Sequence, residues 1–147
     1  MDTLRAARFE SHVYNYFLET HSISISHYHL LEEQIKTGEN RQGIEIKNQP
    51  KYEESGNLYI SVKRVYSYAE YPSGLYKDKH WLYVTGVKNT FWIFSTKQLK
   101  QYYTTNNPHL LKGFTTPKEG TEYGFLLTSK QADELCIEKV DNQLTLL

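Results

Sequence analysis

Glu45 and Lys47 are separated by one residue in the run Gly43-Ile44-Glu45-Ile46-Lys47, and their types and spacing could do chemistry. In a β-strand, residues two apart point to the same side. A strand here projects Glu45 and Lys47 together and turns Ile44 and Ile46 into a core. A carboxylate is a hard oxygen ligand for Mg²⁺. A lysine one side chain away orients a water or offsets charge developing on a phosphoryl group. The pair is therefore the smallest unit of metal-assisted phosphodiester hydrolysis. The same triplet also describes a half-exposed strand with an ion pair on its wet face. Hydrolysis requires a second acid, and the candidates are Glu39 just before the strand, Glu33 on a preceding helix and Glu10 on the first helix.

The elements that must position these groups follow from periodicity. Residues 5–19 read as an amphipathic helix, with Phe9, Val13, Tyr16 and Phe17 facing inward. Ser22–Ser26 alternate like a strand, 27–36 suit a helix ended by Gly38, and 38–42 suit a turn. Strands are expected at 43–48 and 57–66, with a polar loop containing Pro50 between them. Leu58, Ile60 and Val62 share one face of the second strand; Tyr59, Ser61 and Lys63 share the other. A long loop follows to residue 79. Strands at 80–85 and 91–95 join across Gly86-Val-Lys-Asn89, and Thr96 is placed to cap a helix over 97–103. The stretch 105–122 reads mostly as loop, 123–127 as a short strand, Ser129 as the cap of a short helix, and 136–146 as a last strand or pair. Trp81 and Trp92 are expected to pack within strands.

The 147 residues suit one domain, 1–147, able to bury a core without staples. Aromatic residues make up 14%, with 13 tyrosines, which argues against disorder. The single cysteine, Cys136, excludes an intrachain disulfide and cysteine-rich zinc sites. No phosphate-cradling glycine loop is present. A cytoplasmic protein without a membrane span is expected.

Net charge is zero, yet residues 36–118 hold 13 basic and six acidic side chains. A positive surface of that kind suits a polyanion such as DNA, or is plain surface charge. Lys63 and Arg64 follow the second strand and could touch phosphate. Lys77 and Lys79 lie beside Tyr66, Tyr68, Tyr71 and Tyr76, an interleaving that suits base stacking and backbone contact, or a tyrosine-edged loop over a sheet. Lys97, Lys100, Lys112 and Lys118 form a second basic region.

The runs GIEIKNQPKYEESGNLYI, YPSGLYKDKHWLYV and FWIFSTKQLKQYY resemble small phage and bacterial proteins of the PD-(D/E)XK nuclease superfamily, in its resolvase-like and restriction-like branches. The similarity runs from about Gly43 to Leu99. Ser55-Gly-Asn-Leu58 and Pro72-Ser-Gly-Leu75, in order, are its most specific words. The resemblance implies an α/β fold with a restriction-endonuclease-like αβββαβ core, a central mixed sheet flanked by helices. It implies a DNA endonuclease dependent on Mg²⁺ or Mn²⁺. Glu45 is then a metal ligand, Lys47 the catalytic lysine and Glu10 an accessory acid, with Glu39 able to complete the metal site. The chain departs from that pattern at Gln49 and Ser61, where such proteins often carry acids. A homodimer is expected by analogy, since one site cuts one strand. Two alternatives stay open: a DNA-binding protein on the same fold that does not cleave, and a phage-type interaction or inhibitory factor that covers a protein partner with its tyrosines.

Overall fold

Phe9, Val13 and Phe17 lie on one face of a helix, and each is almost wholly withdrawn from solvent. Their helix, α1 (Thr3–His21), is longer at both ends than the periodicity requires. The computed structural model describes residues 3–22, 43–77, 79–116, 118 and 120–141. The strand, helix and turn expected between 23 and 42, and with them Glu33 and Glu39, lie outside the described residues. Along the chain follow β1 (Ile44–Asn48), the single-turn helix α2 (Tyr52–Ser55), β2 (Asn57–Val65), β3 (Glu70–Pro72), a 3-10 turn (Gly74–Tyr76), β4 (Leu82–Val87), β5 (Thr90–Ser95), α3 (Thr96–Asn106), β6 (Leu111–Thr116), β7 (Gly120–Thr128), α4 (Ser129–Leu135) and β8 (Glu138–Asp141).

The architecture is α/β, with a mixed sheet and helices. The mixed sheet has the order β1-β4-β5-β8. Within it β1 and β4 run parallel, and the other pairs are antiparallel. The strands expected to form one central sheet are divided, however. β2 leaves for a second, wholly antiparallel sheet of order β3-β2-β7-β6. The chain turns away from β1 through α2, which ends on Gly56 at φ 72, a left-handed cap whose N–H donates to the Tyr52 carbonyl.

The layers follow from the alternation of side chains. Ile44, Ile46, Leu82, Val84, Phe91 and Ile93 face α1 and form one core with Phe9, Val13 and Phe17. Tyr83, Trp92 and Phe94, on the opposite face of the same strands, pack against Leu58, Ile60, Val62, Phe125 and Leu127 of the second sheet. The order is helix, mixed sheet, antiparallel sheet. A sheet covered on both faces carries near-continuous apolar strands, as β4 and β5 do. Each such side chain contributes about 1.5–3 kcal/mol when fully buried.

Three further expectations need correction. The stretch 105–122 contains β6 and the start of β7. Leu111, Lys112 and Gly113 of β6 are exposed at the edge of the sheet, so no alternating apolar signal marks the strand. Trp92 is fully buried, but Trp81 precedes β4 and is 61% exposed, so it is not core. The helix caps sit one residue earlier than expected. Ser95 Oγ accepts from Gln98 N at the start of α3, and Thr128 forms a capping box with Gln131 at the start of α4. No helix among the described residues is long and apolar enough to cross a membrane.

Candidate active site

Among the described residues β1 is an edge strand of the mixed sheet, and its odd residues turn toward the second sheet. Glu45 is the inner one, only 4% exposed. Lys47, two residues on, is half-exposed, and its Nζ lies 3.2 Å from Glu45 Oε1. The expected projection of the two side chains to one side is therefore present, and it forms an ion pair with one buried member. Burial and the charge of Glu45 push the Tyr83 phenol well above its ordinary range, with Glu122 and Tyr59 adding to the effect. Tyr83 is the register partner of Glu45 on β4.

Glu10, on α1, also reaches this region. Burial raises its carboxyl above the usual glutamate range, and the charge of Lys47 partly offsets that rise. Lys47 is thus the shared electrostatic neighbour of two carboxylates, one from a helix and one from its own strand. Of the second acids considered, Glu10 is the one that lies among the described residues, and the charge of Lys47 acts on it.

The raised carboxyl of Glu10 carries a prediction. A group that binds its proton more tightly in the folded chain favours folding at acid pH. It loses that contribution as pH rises through its raised value. Glu10→Gln removes the cost of the buried charge. The variant should match the parent near the ordinary glutamate range and exceed it at neutral pH, with the gap in Tm opening as pH rises. A flat or inverted gap in thermal melts would contradict the burial of this carboxylate.

Gln49 and Ser61 are both committed to structural bonds. Gln49 Nε2 donates to the Tyr59 carbonyl at 2.7 Å, and Tyr59 N donates to Gln49 Oε1 at 3.3 Å. The side-chain amide so extends a backbone ladder on the flank of β2 that β3 does not reach, because β3 pairs only with Lys63–Val65. Ser61 is buried and its hydroxyl bonds that of Ser73. At Gly74 (φ +48) a Cβ would lie 2.5 Å from the Ser61 carbonyl oxygen. The Pro-Ser-Gly-Leu word is therefore the turn that closes over the middle of β2, and its glycine is required there by both φ and space.

The expected nucleic-acid contacts fall into two groups. Lys63 and Arg64 lie on β2 and are already matched by acids of neighbouring strands. Lys63 Nζ is 3.8 Å from Glu70, and Arg64 donates to Glu122 at 3.0 Å. Tyr76, on the 3-10 turn, carries Lys100 Nζ 5.0 Å above its ring. Lys97, one turn earlier on α3, is exposed, as are Lys77 and Lys79. The tyrosine-rich loop forms a ring cluster: Tyr66 stacks on Tyr68 and meets Tyr71 edge-on.

Among the described residues no group of three or more His, Cys, Asp or Glu side chains gathers as a metal cluster. Glu45 turns toward the second sheet and Glu10 lies on α1, which covers the Ile44 and Ile46 face of β1, so the two carboxylates approach Lys47 from different sides. No protein-family model, no curated protein and no solved structure matches the chain.

Proposed function

We propose that the protein hydrolyses phosphodiester bonds of DNA with a divalent cation, Mg²⁺ or Mn²⁺, through Glu45, Lys47 and Glu10. The observation that carries this reading is the half-exposed Lys47 amine, 3.2 Å from a carboxylate that is itself almost wholly buried. Glu10 in reach of the same amine supports it. Glu45 would be the protein's ligand to the ion, which would supply charge to a phosphoryl oxygen and a more acidic water. Lys47 pairs with Glu45 at 3.2 Å and would offer its N–H groups to a phosphate or to the attacking water. Glu10, with its raised carboxyl, takes up a proton more readily than an exposed glutamate.

The element order supports a restriction-endonuclease-like core. With α2, α4 and the antiparallel sheet taken as insertions, the elements read α1, β1, β4, β5, α3, β8, an αβββαβ succession. The test is incubation of the purified protein with duplex, single-stranded and branched DNA in Mg²⁺, Mn²⁺ or EDTA. Cleavage that requires the metal is expected. No cleavage of any of the three with either ion overturns the reading.

A second reading has its own observation. Gln49 and Ser61 stand where acids occur in the proteins this sequence resembles, and both are occupied in holding β2. That arrangement favours a DNA-binding protein on this fold without turnover. Salt-sensitive binding with no metal-dependent product distinguishes it.

A further inference from the structure

Tyr66, Tyr68 and Tyr71 gather at the tip of the hairpin that joins β2 to β3. The two strands pair Arg64 with Tyr71 and Val65 with Glu70. Beyond that pair the tip is closed by Tyr66 N, which donates to the Ala69 carbonyl at 2.8 Å. Tyr66 and Tyr68 stack, with ring centroids 5.4 Å apart and planes 28° from parallel. Tyr71 meets Tyr66 edge-on, at 5.6 Å and 80°. The neighbouring strand β7 makes room for these rings. A Cβ at Gly120 would lie 3.0 Å from Tyr66 Cδ1 and 3.2 Å from Cε1, so the bare backbone there admits the Tyr66 ring. Tyr76, read with these tyrosines in the sequence, is not part of the cluster and packs on the inter-sheet core.

The stack ends on an open face. Tyr66 covers one face of the Tyr68 ring, yet Tyr68 is 75% exposed, so its other face looks into water. Among the described residues Tyr66 is the only ring in contact with Tyr68. A proline-rich segment docks in a groove lined by aromatic rings, and Tyr68 offers one face with no facing wall. Aromatic rings add to such a face by offset stacking on another flat ring. Every base has a π-face, so stacking of this kind is indifferent to sequence and needs no surplus of charge. Inside a duplex the faces of a base are covered by its neighbours, and only an unpaired base joins a protein ring without the cost of leaving its stack. Glu70 is the one acid between residues 63 and 72, and Lys63 Nζ stands 3.8 Å from it, so its charge is offset where a polyanion would pass.

We propose that Tyr68 stacks an unpaired base of a DNA strand, with Tyr66 backing its ring and Tyr71 propping Tyr66. The DNA that the protein takes is then DNA with exposed bases, in a single strand, a gap or a branch, rather than uniform duplex. That the polymer is DNA rests on the preceding reading. The open ring face does not.

The test is fluorescence anisotropy of a short labelled single strand and of the same sequence as a blunt duplex, both in EDTA. The parent is compared with Tyr68→Ala and Tyr68→Phe, and thermal melts confirm that an exposed position leaves the fold intact. The parent should favour the single strand. Tyr68→Ala should weaken single-strand binding by about fivefold or more and duplex binding by less than about twofold, while Tyr68→Phe, which keeps the ring, stays within about twofold of the parent on both. A strand carrying the fluorescent base 2-aminopurine should lose emission on binding the parent and keep it with Tyr68→Ala. Unchanged binding by Tyr68→Ala, an equal loss on duplex, or a Tyr68→Phe as weak as Tyr68→Ala overturns the proposal. So does a proline-rich peptide that binds through Tyr68 when the single strand does not. Metal is absent throughout, so the two readings separate. Tyr68-dependent binding of a strand that neither Mg²⁺ nor Mn²⁺ then cleaves sinks the hydrolytic reading alone. Metal-dependent cleavage of duplex by a protein that ignores single strands sinks this one alone.

Discussion

Glu45→Gln should remove the proposed metal-dependent cleavage while the protein stays folded. Glutamine keeps the shape of the side chain and discards the charge that a hard cation needs. Metal-supplied charge stabilisation is worth several kcal/mol in the transition state, and each 1.36 kcal/mol is tenfold in rate, so the loss should be at least about a hundredfold. The fold should tolerate the change, because a buried carboxylate is costly to keep ionised and the neutral amide is not. Lys47→Ala should also stop the proposed cleavage but cost more stability, since it removes the cation 3.2 Å from a carboxylate that is 4% exposed. Timed digestion with Mn²⁺, alongside thermal melts, checks both. A Glu45→Gln protein that cuts at the parent's rate removes the site.

Trp92→Ala is the largest structural loss expected. The ring has no exposure and lies between the two sheets. Tyr52 meets it edge-on at 5.2 Å, and Lys139 Nζ stands 5.3 Å over its face. Its Nε1–H donates to Asp133 at 2.8 Å. Truncating a buried Trp costs about 3–5 kcal/mol, a large share of the roughly 5–15 kcal/mol that holds a domain together. Asp133 keeps Lys139 at 3.5 Å, so the loss is chiefly one of packed volume. Trp92→Phe retains a ring and should lose less than half as much. Urea unfolding measures both, and a Trp92→Ala cost below about 1.5 kcal/mol would mean that the two sheets close over the gap.

Much of the candidate site was legible because its rule is local. Two-residue alternation puts Glu45 beside Lys47 and Ile44 beside Ile46, and the structure keeps that arrangement. α1 was legible for the same reason, from Phe9, Val13 and Phe17. The division into two sheets was not. Leu58, Ile60 and Val62 announce a strand with one buried face, but nothing in their spacing says which partner pairs with them. Pairing with β7, more than sixty residues away, is a property of the whole chain. β6 was missed because an edge strand with exposed Leu111 and Lys112 resembles a loop. Of the tyrosines read beside Lys77 and Lys79, Tyr68 and Tyr71 are exposed, while Tyr76 packs on the inter-sheet core.

The parallel partnership of the first and fourth strands joins Ile44 to Leu82, with the whole second and third strands looped out between them. Closing so long a span is entropically slow, and it gains nothing until the excursion has found its own place. A nascent chain therefore acquires Glu45 and Lys47 early in synthesis and their correct setting late. A half-made copy has the two side chains but not the buried setting that the fourth strand gives Glu45.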